Sequence, residues 1–126
     1  MEVAGTSGHK LWYIPDGYIP VNSAPGAYES HESICVLNTS SEAAELRITI
    51  FYEEQDPWGN ITVTVPGRRT KHIRTSSLSY EGTPIPIGVP YAMEVVSSIP
   101  VLVQYSRLDA TQAENALMSI MAYPMK

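Results

Sequence analysis

Gln104, Arg107 and Asp109 follow the apolar run Pro100-Val101-Leu102-Val103 and place an amide, a guanidinium and a carboxylate at the end of a strand-like segment. Arg offers a planar fork of donors, Asp two acceptors and Gln both kinds of group, which suits recognition of a polar ligand. The same residues also suit an Arg–Asp lock between subunits, and both readings stand at this stage. A second group is Arg68-Arg69-Thr70-Lys71-His72-Ile73-Arg74. On a strand, Arg68, Thr70, His72 and Arg74 share one face and Arg69, Lys71 and Ile73 the other. Such a segment is either a solvated edge strand, where charge blocks aggregation, or an anion or nucleic-acid patch. Ser30-His31-Glu32-Ser33 leads into Ile34–Leu37, and His31, Glu32 and His72 together contain metal-ligating types, but their spacing matches no metal motif. No metal or other cofactor is expected.

The elements that must carry these groups read as short strands cut by ten prolines and eight glycines. Residues 11–14 form a strand stopped by Pro15-Asp16-Gly17, and residues 30–38 a second, with Ile34 and Val36 on one face and Cys35 and Leu37 on the other. Residues 45–53 alternate most cleanly, and with residues 60–66 they predict a hairpin around Asp56-Pro57-Trp58-Gly59-Asn60. Residues 68–74 are extended, 76–90 are a Pro-rich loop, and 91–97 and 100–107 are two strands separated by Ser98-Ile99-Pro100. Ala113, Ala116, Leu117, Ile120 and Met121 fall at helical spacing, so pattern alone predicts a helix over 110–121.

Composition excludes several classes. The 126 residues suit one domain, with 1–10 an irregular N-terminal extension and 11–126 the folded unit. The net charge of −5 opposes non-specific nucleic-acid binding, although Arg68, Arg69 and Lys71 could form a local patch. The charged share is only 17%, which suggests that another subunit covers part of the surface. Cys35 is the single cysteine, so no intrachain disulfide is possible, and its apolar neighbours make it a small core residue. No apolar stretch reaches the roughly 18 residues of a membrane-spanning helix, and the N-terminus lacks signal-peptide character, so a cytoplasmic location is expected. Neither a nucleophile elbow nor a zinc-protease or phosphate-loop motif occurs, and no enzymatic activity is expected. Trp12, Tyr13, Tyr18 and Trp58 read as core or interface, although an exposed pair could stack on a sugar.

Several segments taken in order resemble a known family: Gly17-Tyr18-Ile19-Pro20, Ser30-His31-Glu32, Cys35-Val36-Leu37-Asn38, Ile48-Thr49-Ile50-Phe51-Tyr52, Val65-Pro66-Gly67-Arg68 through Arg74, and Arg107-Leu108-Asp109 with Gln112-Ala113-Glu114-Asn115-Ala116-Leu117. From about Trp12 to Tyr123 the chain resembles the sensory rhodopsin transducer family. The resemblance implies an all-β fold, a single-domain antiparallel β-sandwich of jelly-roll type, assembled as a homotetramer. It also implies a strand over 114–123, against the helical periodicity. Members of the family are interpreted as photoreceptor partners, DNA-binding regulators or small-molecule, sugar-binding domains.

The leading expectation is a non-enzymatic sensor of a small polar ligand, of the carbohydrate class, that relays a signal to a protein partner. Its site would comprise His31, Glu32, Asn38, His72, Arg74, Gln104, Arg107 and Asp109. Arg107 and Asp109 would be the clamp, His72 and Arg74 flanking donors, and His31 and Glu32 the opposite wall. The alternative is a transducer docked on a membrane sensory rhodopsin. DNA binding through Arg68, Arg69, Lys71 and Arg74 ranks third, because assembly multiplies the acidic excess as well as the patch.

Overall fold

The computed structural model describes residues 7–21, 30–111 and 116–126. Ten strands run in chain order: β1 His9–Gly17, β2 His31–Asn38, β3 Ala44–Tyr52, β4 Trp58–Val65, β5 Arg69–Arg74, β6 Ser79–Tyr80, β7 Thr83–Pro84, β8 Tyr91–Asp109, β9 Ala116–Met121 and β10 Tyr123–Met125. Thr75–Ser77 forms one 3-10 turn. The all-β antiparallel sandwich expected from the sequence is the architecture found. β1 begins at His9, so it takes in the last two residues of the segment read as an extension.

β8 organises the molecule. Its first half pairs with β1 and β3, and its second half with β2 and β9. One sheet therefore runs β10-β1-β8-β3-β4 and the other β5-β2-β8-β9. The two strands expected at 91–97 and 100–107 are one strand of 19 residues. The misreading came from Pro100, which cannot donate to a ladder. Ser98, Ile99 and Pro100 fall where β8 leaves one set of partners for the other, so the missing N–H costs no ladder bond there. Parity survives the corner: Tyr91, Met93, Val95 and Ser97 point inward before it, and Val101, Val103 and Tyr105 after it.

The other inward rows follow the same period of two. Leu46, Ile48 and Ile50 of β3 and Ile34 and Val36 of β2 are at most 1% exposed and meet between the sheets, while Arg47 and Cys35 point outward. Trp12 is buried and donates its Nε1–H to the His9 and Val101 carbonyls, at 2.9 and 3.1 Å. The expected hairpin is β3–β4, with Trp58 stacked on Tyr80 and edge-on to Tyr52. Burial pushes the Tyr52 hydroxyl up to about 12, and that oxygen has no hydrogen-bond partner among the described residues. The helix that pattern alone gives over 110–121 is overturned in favour of the strand that the resemblance implies: residues 116–121 are strand β9, with Leu117 and Ser119 on one face and Met118 and Ile120 on the other. Helical spacing and an exposed, two-sided apolar strand give the same residue pattern over so short a segment, and pairing with β8 decides between them. Residues 112–115 lie outside the described residues.

Candidate functional site

The site begins with a carboxylate in the wrong place for a surface residue. Glu32 occupies the β2 row of Ile34 and Val36 and is 0% exposed. An unpaired buried carboxylate would cost several kcal/mol, on the order of the Born penalty after relaxation. Glu32 is surrounded by donors instead. The hydroxyls of Tyr91 and Tyr105 donate short hydrogen bonds to its two oxygens. Arg107 Nε donates to Oε2 at 2.6 Å, and the Tyr18 backbone N–H reaches both oxygens at 3.1 and 3.0 Å. Thr75 Oγ1 lies 3.1 Å from the Tyr91 hydroxyl and donates to the Glu32 carbonyl at 3.4 Å.

Topology explains how these groups meet. Glu32 lies directly opposite Arg107 in the β2–β8 ladder. Because β8 bends from one sheet into the other, its first residue, Tyr91, faces Tyr105 and Arg107 across the sandwich. Gly17 pairs with Tyr91, and a Cβ there would come within 2.5 Å of the tyrosine ring, so glycine is what allows the ring to lie over β1. Burial, with the adjacent Glu32 charge, raises the pKa of both tyrosines and keeps their hydroxyls protonated as donors. Burial works against the Arg107 cation, but its hydrogen bond to Glu32 and the neighbouring charges outweigh that and hold it above its ordinary value. The guanidinium carbon also sits 5.9 Å from the Tyr105 ring centroid, within cation–π range.

The outer side of Arg107 opens on a groove of about 440 Å³ lined by Tyr18, Pro20, Val21, Arg107, Asp109 and Thr111. Arg107 Nη2 lies 3.9 Å from the exposed Asp16 carboxylate and has no hydrogen-bond partner among the described residues. Asp109 accepts from the Thr111 hydroxyl at 2.7 Å and its backbone N–H at 2.9 Å, which hold its carboxyl below the usual range. The groove thus presents a fixed cation, a carboxylate, a hydroxyl and an aromatic ring.

The eight residues expected to share one site are distributed over three places. Arg107 and Asp109 line the groove, and Glu32 lies beneath Arg107 as its anchor rather than opposite it as a wall. The carboxylate paired with Arg107 is Glu32, not Asp109. Gln104 and His72 flank Cys35 in one cross-strand row on the outer face of the second sheet, and Arg74 follows one row along, opposite Ser33. His31 lies opposite Leu108, two rows beyond Ser33's neighbour Cys35 on that same face. Asn38 is buried at the far end of β2, where its amide donates to the carbonyls of Glu42 at 2.8 Å and Val65 at 3.1 Å. Among the described residues, no three His, Cys, Asp or Glu side chains gather as metal ligands. Arg68 and Arg69 are exposed and bond backbone carbonyls, and Lys71 reaches from β5 to the Thr64 carbonyl of β4 at 3.1 Å.

Sequence reasoning missed Tyr91, Tyr105 and the backbone N–H of Tyr18, of which only the ring was considered. Alternation held the signal for two of them: Tyr105 shares parity with Val101 and Val103, and Tyr91 with Met93 and Val95. The same count separates Gln104 from Arg107 and places Glu32 with Ile34.

The family model described as the Anabaena sensory rhodopsin transducer matches residues 7–124. The chain belongs to that family. Its fold matches the crystal structure of Thermotoga maritima 1070 with a TM-score of 0.82 and 36% identity, covering 94% of this chain and 96% of the other. It matches the Anabaena sensory rhodopsin transducer with a TM-score of 0.69 and 36% identity, covering 81% of this chain and 99% of that one. No curated protein matches the chain. As a member of this transducer family the chain has a signalling role. Among the described residues, no helix is long and apolar enough to cross a membrane.

Proposed function

We propose that this transducer-family chain is a non-enzymatic sensor that binds a small polar ligand of the carbohydrate class in the Arg107 groove and relays its occupancy to a protein partner. The observation that carries the reading is the anchoring of Arg107. A surface arginine loses side-chain entropy when it clamps a ligand, whereas Arg107 is already fixed by the buried Glu32 carboxylate. Fixed donors beside Asp109, Thr111 and the Tyr18 ring suit hydroxyl recognition with stacking. The anchor joins both halves of β8, so a ligand that shifts Arg107 acts on both sheets.

The reading includes a cytoplasmic homotetramer. Support for assembly comes from β9 and β10, where Leu117, Ile120, Met121, Tyr123 and Met125 are 44–76% exposed. Apolar exposure of this kind on edge strands favours burial against another subunit. A second reading takes the partner to be a membrane sensory rhodopsin, and it rests on the 36% identity to the Anabaena transducer.

A thermal-shift screen of neutral sugars tests the proposal. Saturable stabilisation by at least one sugar, abolished in Asp109→Ala without loss of fold, is the expected result. Stabilisation by none, or stabilisation that survives Asp109→Ala, would count against it. Recovery of no retinal protein in a membrane pull-down would count against the second reading.

A further inference from the structure

The basic segment Arg68–Arg74 has no part in the Arg107 groove, yet it borders a cleft of its own. That cleft, of about 450 Å³, lies where the two sheets leave their edges apart: β4 pairs with β3 alone and β5 with β2 alone among the described residues. Its polar lining is Asn60, Lys71, Ser77 and Ser79, with Thr62 and His72 at its rim on the outward rows of their strands, over a floor of the buried Ile73 and Leu78. We infer that this seam is a second ligand site, for a small compound bearing an oxyanion such as a phosphate ester.

Three observations converge on that chemistry. First, the lining contains no carboxylate, in a chain whose acids outnumber its bases 13 to 8. The nearby Glu45 is engaged by the Thr64 hydroxyl at 2.7 Å. Second, the cations along the seam are electrostatically unspent. Arg68, Arg69 and Lys71 bond only backbone carbonyls, and among the described residues the ion pairs of arginine or lysine are both made by Arg107. Third, Lys71 lies opposite Val36, on the core-facing side of β5, so it spans the seam rather than projecting from the outer face. Its one bond to Thr64 leaves two ammonium donors for a ligand. A lysine point charge with hydroxyl and amide donors fits a phosphate group, and the cleft volume leaves room for a sugar or similar body attached to it.

An inward lysine on an edge strand could instead only guard that edge against aggregation. The two roles separate by titration. Inorganic phosphate, a hexose phosphate and the parent neutral hexose are titrated into the protein by calorimetry at fixed ionic strength, with wild type, Lys71→Gln, Thr62→Val and Asp109→Ala compared. Expected is saturable binding of the hexose phosphate, weakened about tenfold or more by Lys71→Gln, weakened less by Thr62→Val and unchanged by Asp109→Ala. The last arm keeps this site distinct from the Arg107 groove, so either proposal can fail alone. Equal binding of the neutral hexose, equal affinity in Lys71→Gln, or no saturable binding would overturn the inference. So would displacement of the hexose phosphate by a short duplex DNA with a steep salt dependence, which would assign the seam to nucleic acid.

Discussion

The anchor end and the β5 edge use the same residue types to opposite ends. At the anchor, Arg107 projects from an inward row and meets a fully buried carboxylate that two tyrosine hydroxyls and a backbone N–H hold in place. At the edge, Arg68, Arg69 and Lys71 meet only backbone carbonyls at 3.0–3.5 Å, mostly in water. Position within the sheet makes the difference: β5 is an edge strand, whereas β8 lies between β2 and β9. One placement gives an anchored group whose loss unsettles the sandwich, and the other gives exposed charges whose loss costs the fold little.

Removing the buried charge should separate the two regions most. Glu32→Ala leaves Arg107 without its counter-ion and two tyrosine hydroxyls without an acceptor, and should cost about 3–5 kcal/mol in urea denaturation. Arg74→Ala on the exposed edge should stay within about 0.5 kcal/mol. Equal costs would erase the contrast. Asn38→Ala, at the far end of β2, should fall between, at about 1–3 kcal/mol, because the carbonyls of Glu42, Val65 and Pro66 lose their donor.

Alkaline pH should probe the anchor next. Tyr91 and Tyr105 have raised folded pKa values, so they stay protonated where the unfolded chain ionises them. Their contribution is complete below pH about 10 and is lost as pH rises above it. The urea midpoint should therefore fall above that pH, and less steeply in Tyr105→Phe. An unchanged slope would mean that Tyr105 is not held as a donor. Asp109 should give the smallest effect. Its lowered pKa contributes stability above the ordinary aspartate value that is lost as pH falls through the folded one. Thr111→Val should raise the Asp109 carboxyl toward its ordinary value in an NMR titration and shrink that acid loss.

The β3–β4 hairpin was legible because Leu46, Ile48 and Ile50 alternate and Asp56-Pro57 breaks the chain after them, although the expected turn residues Trp58, Gly59 and Asn60 already belong to β4. The continuity of β8 was hidden by Pro100, whose placement at a change of partners is a tertiary fact. The short apolar stretch that forms β9 has a period compatible with helix until its pairing with β8 is seen. Arg107 and Asp109 stood out as polar groups ending an apolar strand. The role of Glu32 did not, because a glutamate at a strand start reads as surface, and only the bend of β8 brings Tyr91 and Arg107, from near the two ends of one strand, onto the same carboxylate. The seam was legible as charge but not as a cavity, since β4 and β5 belong to different sheets.

The most direct test of the anchored arginine is hydrogen exchange at the arginine Nε–H groups, followed by nitrogen-15 NMR. The Arg107 Nε–H should exchange far more slowly than those of Arg68 and Arg69, and Glu32→Gln should remove much of that protection. Exchange of Arg107 as fast as the edge arginines in the native protein would contradict the buried lock on which the proposed sensing site depends.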